Sequence, residues 1–379
     1  MERDEVGTRP VAHVQSRVSL RVRTWGSEEF AAAQPVWDDL LGRSDADPLF
    51  MSWDWQWRWW SHHAPALEAT LQLAAVYAGD RLVGLAPFYS RAVITRRILR
   101  LRRLELIGIA WRDSRAMFSD YLDIIAASDC RDAVVESLDT WLEAQRFWDE
   151  LALCCTKPQG VAAQLVAQRL RRWTYVREVD PMNGWCAQLP PAFSDYVQRL
   201  SPEVRRKLFN QRRKLDDPRL EHVTGADIES TIQRLRQLSV ERWGHGQPPA
   251  HVQEFLKDIT VRLAHTGELQ LSRLVTAAGT LSILYNVQRG GTIYYLQSAF
   301  DPTRAQGLSP GYLHFGYAIE EACAAGARRF DFLAGRGRHR DYKGDLLAKR
   351  VPIVSYHIVR GTVSRALYAV YERVAGLHA

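Results

Sequence analysis

The end of a strand, a loop of small residues, a helix and a further strand follow one another within residues 301–343, and this unit constrains the fold most. The loop occupies residues 304–311, the helix is predicted over residues 312–325, and the closing strand over residues 328–333. The first N–H groups of a helix lack intrahelical partners and lie at the positive end of its dipole, so the loop predicts an anion site. A βαβ unit with such a loop, followed by a basic glycine-rich segment, indicates a phosphorylated ligand and an α/β fold.

The length and composition indicate a soluble, globular chain. With 379 residues there is room for about two domains of roughly 150 residues each. Hydrophobic residues make up 46% and charged residues 25%, which is ordinary for a soluble protein. The formal charge of +7 fits ligands such as nucleotides, phosphates or tRNA, and it fits equally an arginine-rich composition without functional meaning.

The cysteines and the N-terminal segment indicate the cellular compartment in which the protein is expected. None of the five cysteines forms a C-x-x-C pair, which argues against a disulfide framework or a zinc site and fits a reducing cytosol. Residues 1–17 are polar and are predicted to form a flexible tail without a signal peptide. No apolar run reaches the length of a membrane span. A cytoplasmic protein is expected, with neither a metal nor DNA among its ligands.

The order of elements is repeated along the chain. Thr70-Leu-Gln-Leu and Glu268-Leu-Gln-Leu each open a strand shortly before a glycine turn. Each hairpin leads through further strand to a helix and then to a closing strand. This repetition predicts a duplicated α/β fold with mixed sheets, divided into an N-terminal half at residues 18–180 and a C-terminal half at residues 181–379.

The loop of the opening unit carries a recognisable spacing. Arg304-x-x-Gly307-x-Ser309 resembles the pyrophosphate loop of the GNAT acyltransferases, usually written (Gln/Arg)-x-x-Gly-x-(Gly/Ala), and Gly311 follows it. Small residues allow the backbone amides of such a loop to close on a diphosphate. The same spacing is also typical of a structural strand-to-helix turn.

A second group of motifs resembles the CelD-like (cellulose-biosynthesis-associated) acetyltransferases of the GNAT superfamily, which are related to the FemAB peptidyltransferases. The matching stretches are Phe330-Asp-Phe-Leu-Ala-Gly335, Tyr342-Lys343, Ser309-Pro-Gly311, Ala322-Cys-Ala-Ala-Gly326, residues 50–60 and residues 82–87. The resemblance covers about residues 20–360. One departure is Arg336, which stands where an acidic residue is usual and leaves the acceptor, and any acid–base role of that position, open.

The resemblance implies a tandem duplicated GNAT-like fold and an acyl-CoA-dependent N-acyltransferase, transferring groups other than aminoacyl groups. Acyl-CoA is then the co-substrate, and the acceptor is an amine on a small molecule or glycan, such as an amino sugar or a polysaccharide or cell-envelope precursor. The enzyme must hold the diphosphate, polarise the thioester carbonyl and help the amine lose a proton.

Site residues follow from these motifs. Asp331 is the candidate catalytic carboxylate, although an aspartate at a strand end fits a structural role equally, and Tyr342 is the candidate acid. Tyr295 is expected to contact the substrate, because neighbouring tyrosines at 294 and 295 point to opposite sheet faces and only one can line the site. The residues expected to bind the cofactor are Ser298, Arg304, Gly307, Ser309, Gly311 and Lys343.

A basic helix is predicted over residues 201–215. Arg205-Arg-Lys recurs seven residues later as Arg212-Arg-Lys, and Ser201 caps the helix ahead of a proline. Such a helix fits a solvated charged face, or contact with a phosphate-bearing substrate or tRNA. Arg205 and Arg212 are therefore predicted to bind substrate.

Two alternatives stay open from the sequence. A FemAB-like transferase dependent on aminoacyl-tRNA is favoured by the positive charge and the basic helix, and tRNA would be a partner only in that case. The absence of a sustained heptad pattern counts against it, since FemAB proteins often carry a coiled-coil insertion. A non-catalytic GNAT-fold binding module is favoured by the altered segment at residues 335–343.

Overall fold

A computed structural model of the chain describes residues 20–95, 99–243, 247–335 and 342–361. The predicted tail at residues 1–17 and the Arg336–Arg340 run lie outside these ranges. The α-helices within them are α1 (Ser27–Ala32), α2 (Gln34–Gly42), α3 (Trp53–Leu67), α4 (Arg131–Ala144), α5 (Val161–Gln168), α6 (Phe193–Arg199), α7 (Pro202–Leu208), α8 (Asp227–Trp243), α9 (Ala250–His265) and α10 (Pro310–Ala324). None of these helices is long and apolar enough to cross a bilayer.

The strands are numbered in the same way. Those of the first half are β1 (Leu20–Trp25), β2 (Thr70–Leu71), β3 (Leu73–Ala78), β4 (Arg81–Ala86), β5 (Phe88–Thr95), β6 (Leu99–Leu106), β7 (Ile125–Ala126), β8 (Glu150–Thr156) and β9 (Tyr175–Glu178). Those of the second half are β10 (Met182–Gln188), β11 (Arg219–His222), β12 (Leu269–Thr276), β13 (Gly279–Arg289), β14 (Thr292–Phe300), β15 (Arg329–Asp331) and β16 (Lys349–Val359).

The strands form one small sheet and one large sheet that runs through both halves. The small sheet has the order β1-β3-β4-β7, and the large one the order β11-β12-β13-β14-β15-β10-β16-β8-β6-β5-β2, with β9 on β16. The pairs β6–β8 and β14–β15 are parallel, whereas their neighbours are antiparallel. The predicted mixed α/β class is confirmed. Because β16 pairs with β10 and also with β8 and β9, the end of the chain ties the two halves together.

The tryptophan-rich helix α3 lies between the two halves. The hydroxyl of Ser52 accepts the N–H of Trp55 and begins the helix, as an N-cap serine does. Trp55 is fully buried and its ring meets that of Phe255 of α9 edge-on at 5.4 Å. Arg58 of α3 is paired with Asp258 of α9 at 3.1 Å. The aromatic residues of α3 therefore pack the seam between the halves.

The predicted basic helix over residues 201–215 is wrong in its length. It begins as expected, with the Ser201 hydroxyl accepting the N–H of Val204 at 3.3 Å, but α7 ends at Leu208 and residues 210–214 form a 3₁₀ turn. α10 crosses α7 at this point, and a Cβ on Gly316 would collide with the carbonyl oxygen of Leu208. Close packing against α10 thus accompanies the end of the helix, which the basic repeat does not reveal.

Candidate active site

The parallel strands β14 and β15 pair over only a short length. They pair over three residues each, Thr292–Tyr294 against Arg329–Asp331. The register of β13 against β14 shifts between Tyr285 and Asn286, which marks a β-bulge, and a bulge bends its strand and increases its twist. β14 continues to Phe300 while β15 ends at Asp331, so residues 295–300 of β14 extend beyond their pairing with β15.

The loop before α10 is held by a residue that the sequence did not single out. Gln211 is buried, its side-chain oxygen accepts the N–H of Ser309 at 2.9 Å, and its amide nitrogen donates to the carbonyl of Gly307 at 3.4 Å. Gly307 has a φ of +67°, a left-handed conformation that glycine adopts readily. Gly311 lies in the first turn of α10, and a Cβ added there would meet nothing within 4 Å. The loop is therefore fixed on one side and open on the other.

The other residues predicted to bind the donor lie around this loop. Arg304 is about one third exposed and its Nε donates to Asp301 at 3.2 Å. The hydroxyl groups of Ser298 and Tyr295 are 2.9 Å apart, and the ring of Tyr295 packs edge-on against Phe315 of α10 at 5.1 Å. Tyr295 thus packs on α10, whereas Arg304 is paired with Asp301, and the cofactor and substrate contacts of these side chains stay predictions.

Lys343 and Tyr342 approach the same unit from the segment after β15. Lys343 is buried, and its ammonium donates to the carbonyls of Phe332, Leu333 and Ala334 at 2.8, 2.9 and 3.1 Å. It fixes the backbone that follows Asp331, while phosphate binding by Lys343 stays a prediction. The ring of Tyr342 lies 6.2 Å from those of both Tyr312 and Phe315, against the first turns of α10.

The two arginines predicted to bind substrate make contacts within the protein. Arg205 donates to the carbonyls of Val197, Gln198 and Leu200, and so caps the C-terminal end of α6. Arg212 is paired with Glu320 of α10 at 2.5 Å, and its guanidinium lies 3.9 Å from the ring centre of Tyr317. Both hold the basic segment in place, and substrate contact by either stays a prediction.

Asp331 lies on the seam between the halves. It is buried, and its Oδ1 accepts the hydroxyl of Tyr121 at 3.1 Å and the N–H of Leu333 at 2.8 Å. Burial raises the pKa of Asp331 to about 7, because the charged form loses its hydration. Tyr121 reaches this carboxylate from the first half, 210 residues away, and a Cβ on Gly184 would collide with its hydroxyl.

Two further carboxylates of the first half reach the seam. Asp120 accepts the N–H of Ala334 at 2.9 Å, and its other oxygen is buried without a hydrogen-bond partner among the described residues. Burial raises the pKa of Asp120 to about 6. Asp47 accepts the hydroxyl of Tyr294 at 3.2 Å and lies 3.7 Å from Lys157. The side chain of Tyr294 therefore points to the first half, away from Tyr295.

The first-half residues of the seam were missed in the sequence. The signal was weak but present, since Asp120 and Asp123 flank Tyr121 in a stretch that is otherwise mostly apolar. Asp123 has a different task, because its carboxylate accepts the N–H groups of Val161 and Ala162 and caps α5. Among the residues that the structure describes, no group of three or more His, Cys, Asp or Glu is arranged to hold a metal ion.

Comparison with known proteins identifies the fold. Residues 202–344 match the family described as acetyltransferase (GNAT) domain. FemX aligns over 92% of this chain and 99% of its own, with a TM-score of 0.60 at 11% identity. A conserved protein of unknown function from Bacteroides thetaiotaomicron aligns over 90% of this chain and 100% of its own, with a TM-score of 0.52 at 9% identity.

A third similar structure is the C-terminal domain of a protein from Agrobacterium fabrum, provisionally assigned as a lysylphosphatidylglycerol synthetase. It aligns over 91% of this chain and 97% of its own, with a TM-score of 0.50 at 10% identity. No curated protein matches the sequence. The predicted tandem GNAT-like fold is confirmed, and the family match at residues 202–344 falls within the second half. Identities this low establish the fold alone.

Proposed function

We propose that this protein is an acyl-CoA-dependent N-acyltransferase whose donor site lies in the second half. The observation that carries the proposal is that β14 continues beyond its last pair with β15, at Tyr294 and Asp331, into a glycine loop that leads to the start of α10. Backbone amides at the start of a helix and a neighbouring arginine are suited to a diphosphate. The open space around Gly311 leaves room for it.

The donor residues divide the binding task. Arg304 at the loop edge supplies a positive charge, and the first turn of α10 supplies backbone N–H groups. Gln211 keeps the loop in shape by holding Gly307 and Ser309. The residues fit a diphosphate because Gln211 already holds the loop in place beside Arg304 and the first N–H groups of α10.

Asp331 is the proposed base. The amine nitrogen attacks the thioester carbonyl, a C–N bond forms, the C–S bond breaks and the thiolate leaves with the bonding electrons. The carboxylate of Asp331, with its pKa near 7, takes the proton that the amine loses. Tyr121 orients this carboxylate through its hydroxyl, and Tyr342 is the proposed acid that returns a proton to the thiolate.

The acceptor is proposed to approach from the first half, because Asp331 faces Tyr121 across the seam. The CelD-like motifs favour an amino sugar or a polysaccharide or cell-envelope precursor as the acceptor class, within the cytoplasm. The acyl donor is proposed to be acetyl-CoA or another acyl-CoA.

A second candidate is a transferase that uses aminoacyl-tRNA. It is favoured by the exposed basic side chains of Arg206, Arg213 and Lys214 beside the donor loop, which resemble a phosphate-backbone contact surface. Thermal melting with acetyl-CoA, CoA and aminoacyl-tRNA separates the two candidates. A rise in melting temperature with acetyl-CoA and CoA is expected. A rise with aminoacyl-tRNA alone would replace the first candidate by the second. An unchanged melting temperature with all three ligands would favour a non-catalytic module.

A further inference from the structure

A cavity of about 360 Å³ lies between the C-terminal half of α10 and the sheet. β12 and β13 supply its polar wall, and α10 supplies a wall of small side chains, and the residues concerned are Gln270, Ser272, Asn286, Gln288, Ala318 and Ala322. The helix rises about 16 Å between Gly311, in its first turn, and Ala322. The cavity is therefore separate from the proposed donor loop.

The sheet face under this part of α10 is polar, where a helix usually covers apolar side chains. Gln270 and Ser272 of β12 lie on this face, because side chains alternate along a strand. Asn286, the register partner of Gln270, and Gln288 extend the polar face onto β13. Burying polar groups costs free energy unless they are hydrogen-bonded. This face therefore favours a polar occupant over simple packing.

Asn286 carries a buried polar atom that its neighbours do not satisfy. The residue is 3% exposed and lines the cavity. Its Oδ1 is buried and has no hydrogen-bond partner among the described residues. Leaving a buried acceptor unpaired is costly, because the acceptor loses its bond to water and gains none in return. A ligand that brings an N–H donor into the cavity would remove this cost.

The neighbouring amides offer donors and acceptors side by side. Gln270 donates through its amide nitrogen to the side-chain oxygen of Gln288 at 3.3 Å. Gln270 thereby keeps an oxygen that accepts, and Gln288 keeps an amide nitrogen that donates. A carboxamide side chain makes two hydrogen bonds to a group that presents a donor and an acceptor together, such as the edge of adenine. The polar wall is therefore suited to a ligand with such an edge.

His314 of α10 keeps the polar wall in shape. It is fully buried between two hydroxyl groups, with Nε2 2.9 Å from Ser272 and Nδ1 2.8 Å from Ser282. Burial lowers the pKa of His314 to about 3, because the charged form would lose its hydration, so the imidazole is neutral. A wall that is fixed in this way keeps its shape without a ligand, which lowers the ordering cost of binding.

The exposed edge of the cavity carries one acid beside one imidazole. Nε2 of His222 lies 2.9 Å from Oε1 of Glu321, and both side chains are about half exposed. The carboxylate disfavours an anionic ligand, and its bond to His222 weakens its attraction for a cation. Ile293 and the alanines of α10 add apolar surface, and small-ligand sites commonly combine such surface with a few placed polar groups. The cavity is thus suited to a neutral ring.

We infer that this cavity is a second ligand site, which takes a small neutral molecule that joins a planar ring to an amide edge, either a ring carboxamide or a lactam. The N–H of the ligand donates to Oδ1 of Asn286, its carbonyl accepts from the amide nitrogen of Gln288, and its ring lies against Ala318 and Ala322. The site goes beyond the proposed acyltransferase function and does not depend on it.

NMR titration of the wild-type chain tests the site with two probes, nicotinamide as a ring carboxamide and uracil as a lactam. We expect saturable binding of at least one probe, unchanged by saturating CoA because the donor loop lies at the other end of α10. Nicotinate and 1,3-dimethyluracil are the matched control ligands, since each keeps the ring and lacks the amide N–H donors. Each should bind at least tenfold more weakly than its parent.

Two variants locate the bound probe. Asn286→Leu should weaken binding at least tenfold without lowering stability in urea, because the oxygen that it removes is buried without a partner among the described residues. Ala318→Phe fills the cavity from a half-buried position on α10 and should also abolish binding, so it serves if the first variant does not fold. Ala31→Phe, exposed on α1, is the matched control and should bind as the wild type does.

The possible results separate this site from the donor site. Absence of saturable binding of both probes to the wild-type chain would overturn the inference and leave a cavity that holds only water. Binding that survives both cavity variants, or that CoA displaces, would place the probe elsewhere and overturn it as well. Absence of CoA binding in a chain that binds a probe as expected would instead reject the proposed function and uphold the second site.

Discussion

Each half contains one short parallel strand pair, and the two pairs are built differently. In the first half, Arg103 of β6 is paired with Glu150 of β8 at 2.9 Å, and His357 of β16 lies 3.4 Å from the same carboxylate. In the second half, the β14–β15 pair ends at Tyr294 and Asp331, whose side chains reach across the seam. A buried ion network thus occupies the first pair, and tyrosine–carboxylate contacts occupy the second.

The segments that follow β6 and β14 differ in length. Residues 107–130 lead from β6 to α4 and include β7, whereas residues 301–309 lead from β14 to α10. The short connection contains Gly307 at positive φ and leaves Gly311 open. One half therefore carries the proposed donor loop, and the other carries a long loop that buried charges hold, through Glu105 to the N–H of Trp111 and through Arg91 to Asp113.

The largest effect is expected from Asp331→Asn, which removes the proposed base and keeps an oxygen for the N–H of Leu333. Loss of a general base typically lowers kcat by about 10²–10⁴-fold, and CoA affinity should not change. Steady-state kinetics together with CoA titration measure both quantities. Wild-type kcat in this variant would show that Asp331 is structural.

Asp331→Asn is expected to lower kcat but to raise the free energy of unfolding above pH 7. Burial raises the pKa of the folded-state carboxyl to about 7, so the folded chain holds this proton more tightly than the unfolded chain does. The contribution of Asp331 to stability is therefore greatest in acid and is lost as the pH rises from the ordinary carboxyl range through about 7. Asp331→Asn should be more stable than wild type above pH 7, by on the order of a few kcal/mol, and the difference should vanish in acid. Urea unfolding at a series of pH values measures it; a difference independent of pH would contradict the assignment.

The buried charges between β5 and β6 are tested by Glu105→Gln, which removes the carboxylate that accepts from Arg91 at 2.6 Å. Removing one partner leaves Arg91 buried with a weaker acceptor, and breaking a buried pair typically costs about 3 kcal/mol or more. Denaturant unfolding should show this loss. Glu136→Gln is the control, since Glu136 is exposed and 3.8 Å from Arg169, and its change should be near zero. Equal effects of the two variants would mean that the buried Arg91–Glu105 pair does not stabilise the first half.

The link across the seam is tested by Tyr121→Phe. The hydroxyl stabilises the charged form of Asp331, so its removal should raise the pKa of this carboxyl and move the midpoint of the pH–rate profile upward, by up to about one pH unit. Tyr294→Phe is the matched control because its hydroxyl bonds Asp47 instead, and it should leave the midpoint in place. An unchanged midpoint in Tyr121→Phe would show that the Tyr121 hydroxyl does not influence the pKa of Asp331.

The smallest effect is expected at the clamp of the donor loop. Gln211→Leu removes the two bonds to Gly307 and Ser309, and a loss of about 1 kcal/mol corresponds to roughly a fivefold weaker Kd for CoA. Gln253→Leu is the control, because Gln253 also donates to a backbone carbonyl, that of Pro248, but lies in the first turn of α9. An unchanged Kd in Gln211→Leu would mean that the loop keeps its shape without the clamp.

Much of the second half could be predicted from its sequence, because its signals are local. The glycines at 307 and 326, the apolar period of α10 and the hairpin of β12 and β13 each act over a few residues. The contact of Tyr121 with Asp331 joins positions 210 residues apart, and no local pattern encodes such a pairing. For the same reason, neither the close packing of Gly316 on Leu208 at the end of α7 nor the role of Gln211 could be read from a run of basic residues.

The central claim is that the donor binds in the second half alone, and calorimetric titration of CoA tests it most directly. The comparison uses the wild-type chain, Gly311→Ala and Gly311→Trp, since position 311 accepts a Cβ without a clash and a large ring there fills the space proposed for the diphosphate. The account predicts one CoA per chain, retained in Gly311→Ala and lost in Gly311→Trp with the fold intact by circular dichroism. Undiminished CoA binding in a folded Gly311→Trp chain would contradict it.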